Sequence, residues 1–340
     1  MKAIILQQPG QFRYTERDLD ERLQPHEALL KVHRVGICGT DYHAYRGNQP
    51  FFSYPRVLGH ELGVEVVAVG SAVIEVQVGD KCSVEPYLNS TQDQAVRHGF
   101  TNCGENVSVV GVHQDGGMQE YLKLPARYLH RSDYLDYDAL ALVEPLGIGC
   151  HAVNRAKITA EDQVLVVGAG PIGLAAVQFA TATGAPTVVM DVNTDRLAFA
   201  ASLMKVAGTV VAEREDTLAQ LRAHFGGDLP SVVLDATGNK HSMSKALEYA
   251  APAGRIVFIG LFQGDFSFHD PYFHKKELTL MASRNALPTD FHQIISMMEK
   301  GAINTEAWIT HRSSFEEMVG VFDDWLRPEA RVIKAVVALG

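Results

Sequence analysis

A chain of 340 residues predicts two domains more readily than one or three. Thirty Lys plus Arg against forty Asp plus Glu leave a net charge of −10, which argues against the clustered positive charge of a nucleic-acid surface. With 46% hydrophobic and 21% charged residues, the composition is that of a globular protein with a full core, and whole-chain disorder is excluded. The opening residues, MKAIILQQPGQF, lack the apolar run and small-residue cleavage site of a secretory leader, so no signal peptide is expected. The longest apolar run, 164–180, is broken by Gly168, Gly170, Pro171 and Gly173 and does not read as a membrane span. Four scattered cysteines (Cys38, Cys82, Cys103 and Cys150) make no disulfide framework, and a reduced, cytoplasmic setting is expected.

Two textures follow one another along the chain. Residues 1 to about 147 are rich in Gly, Pro and short β-branched runs, with strands expected at 3–6, 28–35, 63–69 and 119–124. That half reads as mainly β. From about 160 the pattern alternates: strands at 163–167, 187–190, 208–211, 231–234, 255–259 and 278–282, with helices at 172–183, 194–203 and 242–250. Such alternation predicts a doubly wound parallel sheet and an α/β protein. A helix at 290–300 and a last strand at 331–337 follow. No repeat, low-complexity segment or flexible linker is visible.

The run VLVVGAGPIG places Gly168, Gly170 and Gly173 as G-x-G-x-x-G, directly after a strand and at the head of a helix. Gly168 would make the tight turn, Gly170 would let a pyrophosphate approach the backbone, and Gly173 would let helix and strand pack closely. Pro171 and Ile172 complete the loop, and the helix end offers N–H groups to phosphates. The next strand ends in Asp191, eighteen residues after Gly173, where a carboxylate can accept from the adenosine ribose diol and repel a 2′-phosphate. NAD is therefore expected over NADP, although Arg196 nearby is a residue type that accommodates a 2′-phosphate.

Chemistry is suggested in the first half by Cys38 in GICGTDYH, by His60 and Glu61 in GHE, and by Glu144 in LVEPL. A thiolate, an imidazole and carboxylates match the preferences of zinc, and a catalytic zinc keeps one position open. Singly, each residue reads better as structural than as a metal ligand. The signal comes from the set.

The motifs GICGTDYH, GHE, VEPL, VLVVGAGPIG and DATG, in that order, resemble the zinc-dependent medium-chain dehydrogenases, within them the sorbitol and polyol dehydrogenase branch. The resemblance covers essentially the whole chain. It implies a GroES-like, mainly β catalytic domain formed by 1–147 and 288–340, and a Rossmann NAD-binding domain at 148–287. It also implies Cys38, His60 and Glu144 as zinc ligands, with Glu61 a carboxylate that ligates directly or exchanges with water and substrate. Thr40 would take the substrate proton, and His43 would pass it on to solvent. Hydride would then leave the alcohol carbon for the nicotinamide. The partners implied are a small-molecule polyol or sugar acid and further copies of the chain, as a dimer or tetramer, with no nucleic acid or membrane.

One departure from the family stands out. Its second, structural zinc is held by four Cys spaced C-x₂-C-x₂-C-x₇-C, and the matching positions here are Ser90, Asp93, Val96 and Gly104. Cys103 is one residue off and alone, so one catalytic zinc per chain is expected, with the lobe 88–106 packed without metal or mobile. Val64 stands where many relatives have Gly. The stretches 47–60, 111–117 and 270–277 are similar to members that oxidise sugar acids. They make L-galactonate, oxidised at C5, the expected substrate, with a polyol or amino alcohol as the alternative. Arg56, His113 and Lys275 are candidates to meet its carboxylate. Two remoter readings are a zinc-free quinone or enone reductase and a non-enzymatic NAD-binding protein.

Overall fold

The computed structural model describes residues 1–49 and 52–340; Pro50 and Phe51, inside the stretch 47–60, lie outside the described residues. The chain divides into two units, Met1–Pro145 with Leu287–Gly340, and Leu146–Ala286.

In the first unit the strand Glu27–Ile37 is the organiser. Its residues are buried on both faces, and it pairs antiparallel with Glu61–Val69, Tyr121–Pro125 and the C-terminal strand Lys334–Ala338. Lys81–Val84, Leu129–Arg131 and Ile309–Ser314 complete a seven-stranded sheet; Gln11–Glu16, Lys2–Gln8 and Arg56–Val57 form a second sheet of three. Leu30, Val32, Val64, Val66 and Val337 are all buried in the core here, each contributing about 1.5–3 kcal/mol by leaving water. Val64 fills core space at 0% exposure, so the departure there is a packing residue.

Register brings the chemistry together. Gly36 faces Glu61, and Ala335 faces Ile37, so Glu61, Cys38 and Lys334 converge although they are far apart in sequence. The C-terminal strand begins at Lys334 rather than 331, because a 3₁₀ turn at Pro328–Ala330 leaves Arg331 left-handed, with φ of 51°, and unable to pair. Helices Gly39–Tyr45 and Val143–Ala156 and the strand Ile309–Ser314 escaped the sequence reading. That strand, ITHRSS, is polar and half exposed at the sheet edge, so it carries no apolar signal.

The second unit is a six-stranded, all-parallel sheet in the order Gly208–Val211, Thr187–Asp191, Val164–Val167, Val232–Asp235, Arg255–Phe258, Thr279–Ala282. The three central strands are buried at every residue, as expected where helices cover both faces. Chain order reverses between Val164–Val167 and its neighbour Val232–Asp235, the switch point at which such sheets bind ligands. Helix Thr217–His224 was not foreseen; only Thr217 and Leu221 of it are buried, too few to produce a periodic pattern. No described helix is long and apolar enough to cross a membrane.

Candidate metal and dinucleotide sites

Cys38 ends the central strand's run and precedes helix Gly39–Tyr45, while Gly59–Glu61 lead into the neighbouring strand. Cys38, His60 and Glu61 each set one ligand atom within 4.8 Å of the others. Zinc bonds of about 2.0–2.3 Å at tetrahedral angles put ligand atoms about 3.3–3.8 Å apart, so small adjustments suffice. Glu144 lies outside that group of three but is buried at 4% exposure, in the electrostatic reach of His60, Glu61 and Lys334. Burial pushes its carboxyl above the usual range, opposed by His60. Cys38, Asp41, Glu61 and Glu144 thus bring four acidic groups to one place against the single ammonium of Lys334 and the His60 ring. A divalent cation would supply the missing positive charge, and the donor set of thiolate, imidazole and carboxylate suits zinc.

Each member has a support. Lys334, 3% exposed, donates to both Glu61 oxygens at 2.6 and 2.7 Å and to the carbonyl of Ile37 at 3.2 Å. Gly36 is needed opposite Glu61, because a Cβ there would overlap Oε2 and lie 2.9 Å from the Glu61 Cβ. Asp41 accepts from the Cys38 backbone N–H at 2.8 Å and sets Oδ1 4.0 Å from His60 Nδ1. The Tyr87 hydroxyl donates to Glu144 Oε1. Lys334, Asp41 and Tyr87 were not selected from sequence. Thr40 and His43 share one face of helix Gly39–Tyr45, the first half-buried and the second exposed.

The three residues considered for a substrate carboxylate are used otherwise or lie in the open. Arg56 donates to Ser53 Oγ at 2.8 Å, His113 Nδ1 accepts the Val109 N–H at 2.9 Å, and Lys275 is exposed in the second unit.

The lobe that lacks the four zinc-binding cysteines is held by hydrogen bonds rather than by packing alone. Asp93 caps the short helix Gln94–Arg97, accepting from Val96 N at 3.1 Å, and reaches across the lobe to Glu105 N at 2.8 Å. These bonds lower its carboxyl below the usual range. A Cβ at Gly104 would sit 2.5 Å from Asn89 Oδ1 and 3.0 Å from Asp93 Oδ2. Three of the four expected cysteine positions therefore still converge, around a carboxylate. All four cysteines of the chain are free, and Cys103 is exposed.

In the second unit Gly168 turns with φ of 98° and donates to the Met190 carbonyl at 2.7 Å. A Cβ at Gly173 would overlap the Gly168 carbonyl oxygen, so this residue lets the helix start against the strand. At Gly170 a Cβ would meet only Arg196 Nη1, at 3.8 Å, so the space beside it stays open to a ligand. Pro171 is the first residue of helix Pro171–Ala182, and Ile172 follows it. The Asp191 carboxylate accepts from Ala169 N at 2.6 Å and Asn193 N at 2.8 Å, fixing the glycine loop to the next strand. Gly168, Gly170, Asp191 and Arg196 line one cavity of about 410 Å³. Glu213 and Lys245 line it too, and neither had a sequence signal.

Residues 24–134 match the alcohol dehydrogenase GroES-like domain, and residues 171–300 match the zinc-binding dehydrogenase domain. An L-galactonate-5-dehydrogenase of Escherichia coli (strain K12) is 44% identical over 337 residues, covering 99% of this chain and 98% of the relative. A sorbitol dehydrogenase of Ovis aries is 31% identical, covering 94% and 92%. The solved structure of an Escherichia coli CFT073 alcohol dehydrogenase complexed with NADH superposes with a TM-score of 0.92 at 29% identity, covering 99% of each chain. With both domains matched and full-length similarity to relatives of this kind, the chain belongs to the zinc-type medium-chain alcohol dehydrogenases, enzymes that oxidise alcohol groups with a nicotinamide dinucleotide.

Proposed function

We propose that this enzyme oxidises a secondary alcohol of a sugar acid to the ketone, with L-galactonate (at C5) as substrate and NAD as acceptor. The observation that carries the reading is the cluster of half-buried Cys38 with buried His60 and Glu61, with Glu144 beside it. The sugar-acid assignment rests on the 44% identity to L-galactonate-5-dehydrogenase over 99% of the chain. In this reading the unit Met1–Pro145 with Leu287–Gly340 binds metal and alcohol, and Leu146–Ala286 binds the dinucleotide.

Cys38, His60 and Glu144 hold one zinc per chain, and Glu61, restrained by Lys334, is the carboxylate able to join or leave. The zinc, when bound, supplies Lewis-acid polarisation of the alcohol oxygen. Thr40 Oγ1 accepts the hydroxyl proton as it gives its own towards His43, and the exposed His43 ring releases a proton to solvent. Asp191 receives the adenosine ribose diol and excludes a 2′-phosphate, while the backbone around Gly170 receives the pyrophosphate. Assembly as a dimer or tetramer belongs to the same proposal.

The test is reduction of NAD followed over L-galactonate, other aldonates, sorbitol and simple alcohols. L-Galactonate should give the highest kcat/KM. A higher value for sorbitol would favour the polyol reading, which the 31% identity to sorbitol dehydrogenase supports. Absence of turnover on the whole panel by zinc-replete protein would refute both.

A further inference from the structure

Tyr87 opens a two-residue strand, Tyr87–Leu88, that pairs with Ser108–Val109. It is 2% exposed, among the largest buried side chains, and packs edge-on to Phe291 with ring centroids 6.5 Å apart. A Phe would fill that space equally well, so packing does not explain the hydroxyl. Burying a hydroxyl is costly unless it finds a partner, and here its acceptor is Glu144 Oε1. Glu144 occupies the first turn of helix Val143–Ala156, where a glutamate alone has three rotatable bonds and several ways to point. A tyrosine held by its ring has far fewer, so it presents the hydroxyl at one fixed point.

We propose that Tyr87 is a positioning residue of the metal site: its hydroxyl holds one oxygen of Glu144 and leaves the other to face the metal. This rests on the reading of Glu144 as part of that site. The two buried glutamates are then held differently. Lys334 takes both oxygens of Glu61, whereas Tyr87 takes one oxygen of Glu144, which makes Glu144 the carboxylate more readily available for the metal. Hydrogen-bond partners of metal-binding carboxylates act in this way elsewhere, and their loss costs about 10–100-fold in metal affinity or activity.

The experiment measures the zinc dissociation constant of the zinc-loaded enzyme by competition with a chelator, in wild type, Tyr87→Phe, Glu144→Gln and the double variant. Near-ultraviolet circular dichroism and the melting temperature check the fold. Tyr87→Phe should weaken zinc by about 10–100-fold, and the same change should have little effect once Glu144 is Gln. Unchanged affinity in Tyr87→Phe, with Glu144→Gln weakened, overturns the positioning role and leaves Glu144 in the site. Equal losses from Tyr87→Phe in both backgrounds also overturn it, since the hydroxyl would then act through the fold. If Glu144→Gln leaves zinc affinity untouched, the reading of Glu144 fails, and the role of Tyr87 fails with it.

Discussion

Replacing Lys334 with Met keeps the length of the side chain and removes the cation that faces Glu61. Both partners are buried, at 3% and 0% side-chain exposure, and the ammonium touches both carboxylate oxygens. Burial alone would lower the Lys334 ammonium, but Glu61 and Cys38 outweigh it and hold it above its usual range. Removing one partner of a buried pair strands the other charge, at a cost of about 3–5 kcal/mol. Unfolding entropy of about 2.1 cal/mol/K per residue, over a unit of about 200 residues, converts each kcal/mol into about 2–2.5 °C. Lys334→Met should therefore melt about 7–12 °C lower than wild type.

Calorimetry on chelator-treated protein is the assay, because bound metal would otherwise compensate part of the lost charge. Glu61→Gln removes the ammonium's closest anion and should also lower the midpoint, by less, because Cys38 and Glu144 still face Lys334. The double variant removes the cation together with its closest anion, so it should lie closer to wild type than the sum of the two singles. A Lys334→Met midpoint within about 2 °C of wild type, or a strictly additive double variant, would refute the reasoning, since an intact buried pair cannot give either result.

Elemental analysis should find about one zinc per chain, and Cys38→Ser should lose most of it, because a hydroxyl is a poor replacement for a thiolate; two tightly held zinc ions would contradict the site. Asp191→Ala should weaken NAD and narrow the gap to NADP in kcat/KM, while a wild-type kcat/KM for NADP equal to that for NAD would remove the role given to this carboxylate. Thr40→Val should lower kcat by about a hundredfold or more with zinc content and NAD binding unchanged, and His43→Ala should be milder and partly rescued by imidazole; full turnover by Thr40→Val would place the proton route elsewhere. Burial lowers the titration of His33, with Glu65 opposing, so on acidification the unfolded chain takes this proton before the folded one. The contribution is fully present above about pH 6.5, the ordinary histidine value, and fades as pH falls towards the lowered folded value. His33→Phe keeps the stack on Tyr137 and should flatten the melting temperature between pH 7.5 and the acid side, whereas an unchanged slope would rule this histidine out.

How much of this could be read from the sequence depended on how local each signal was. The parallel sheet was legible because its strands are continuous apolar runs, VLVV, TVVMD and VVLD, and the glycine loop because its spacing serves one short turn. The metal cluster was legible as a set of residue types in short motifs. The lobe was read half correctly: the missing cysteines were plain, but nothing in Ser90, Asp93, Val96 and Gly104 announced that a carboxylate would gather the backbone of the same positions.

The supports of the site were invisible for a different reason. Lys334 meets Glu61 across 273 residues, and Tyr87 meets Glu144 across 57, so no window along the chain contains both partners. Yet the need for a partner was written locally. In RVIKAVVAL a single lysine interrupts an apolar strand, and a charge in such a strand must be paired or stay at the surface. Glu144 in LVEPL poses the same demand with the opposite sign. A charge out of place in an apolar run thus shows that a partner is needed without naming it; pairing Lys334 with Glu61, and leaving Glu144 to Tyr87, required the strand register that places Ala335 opposite Ile37 and Gly36 opposite Glu61.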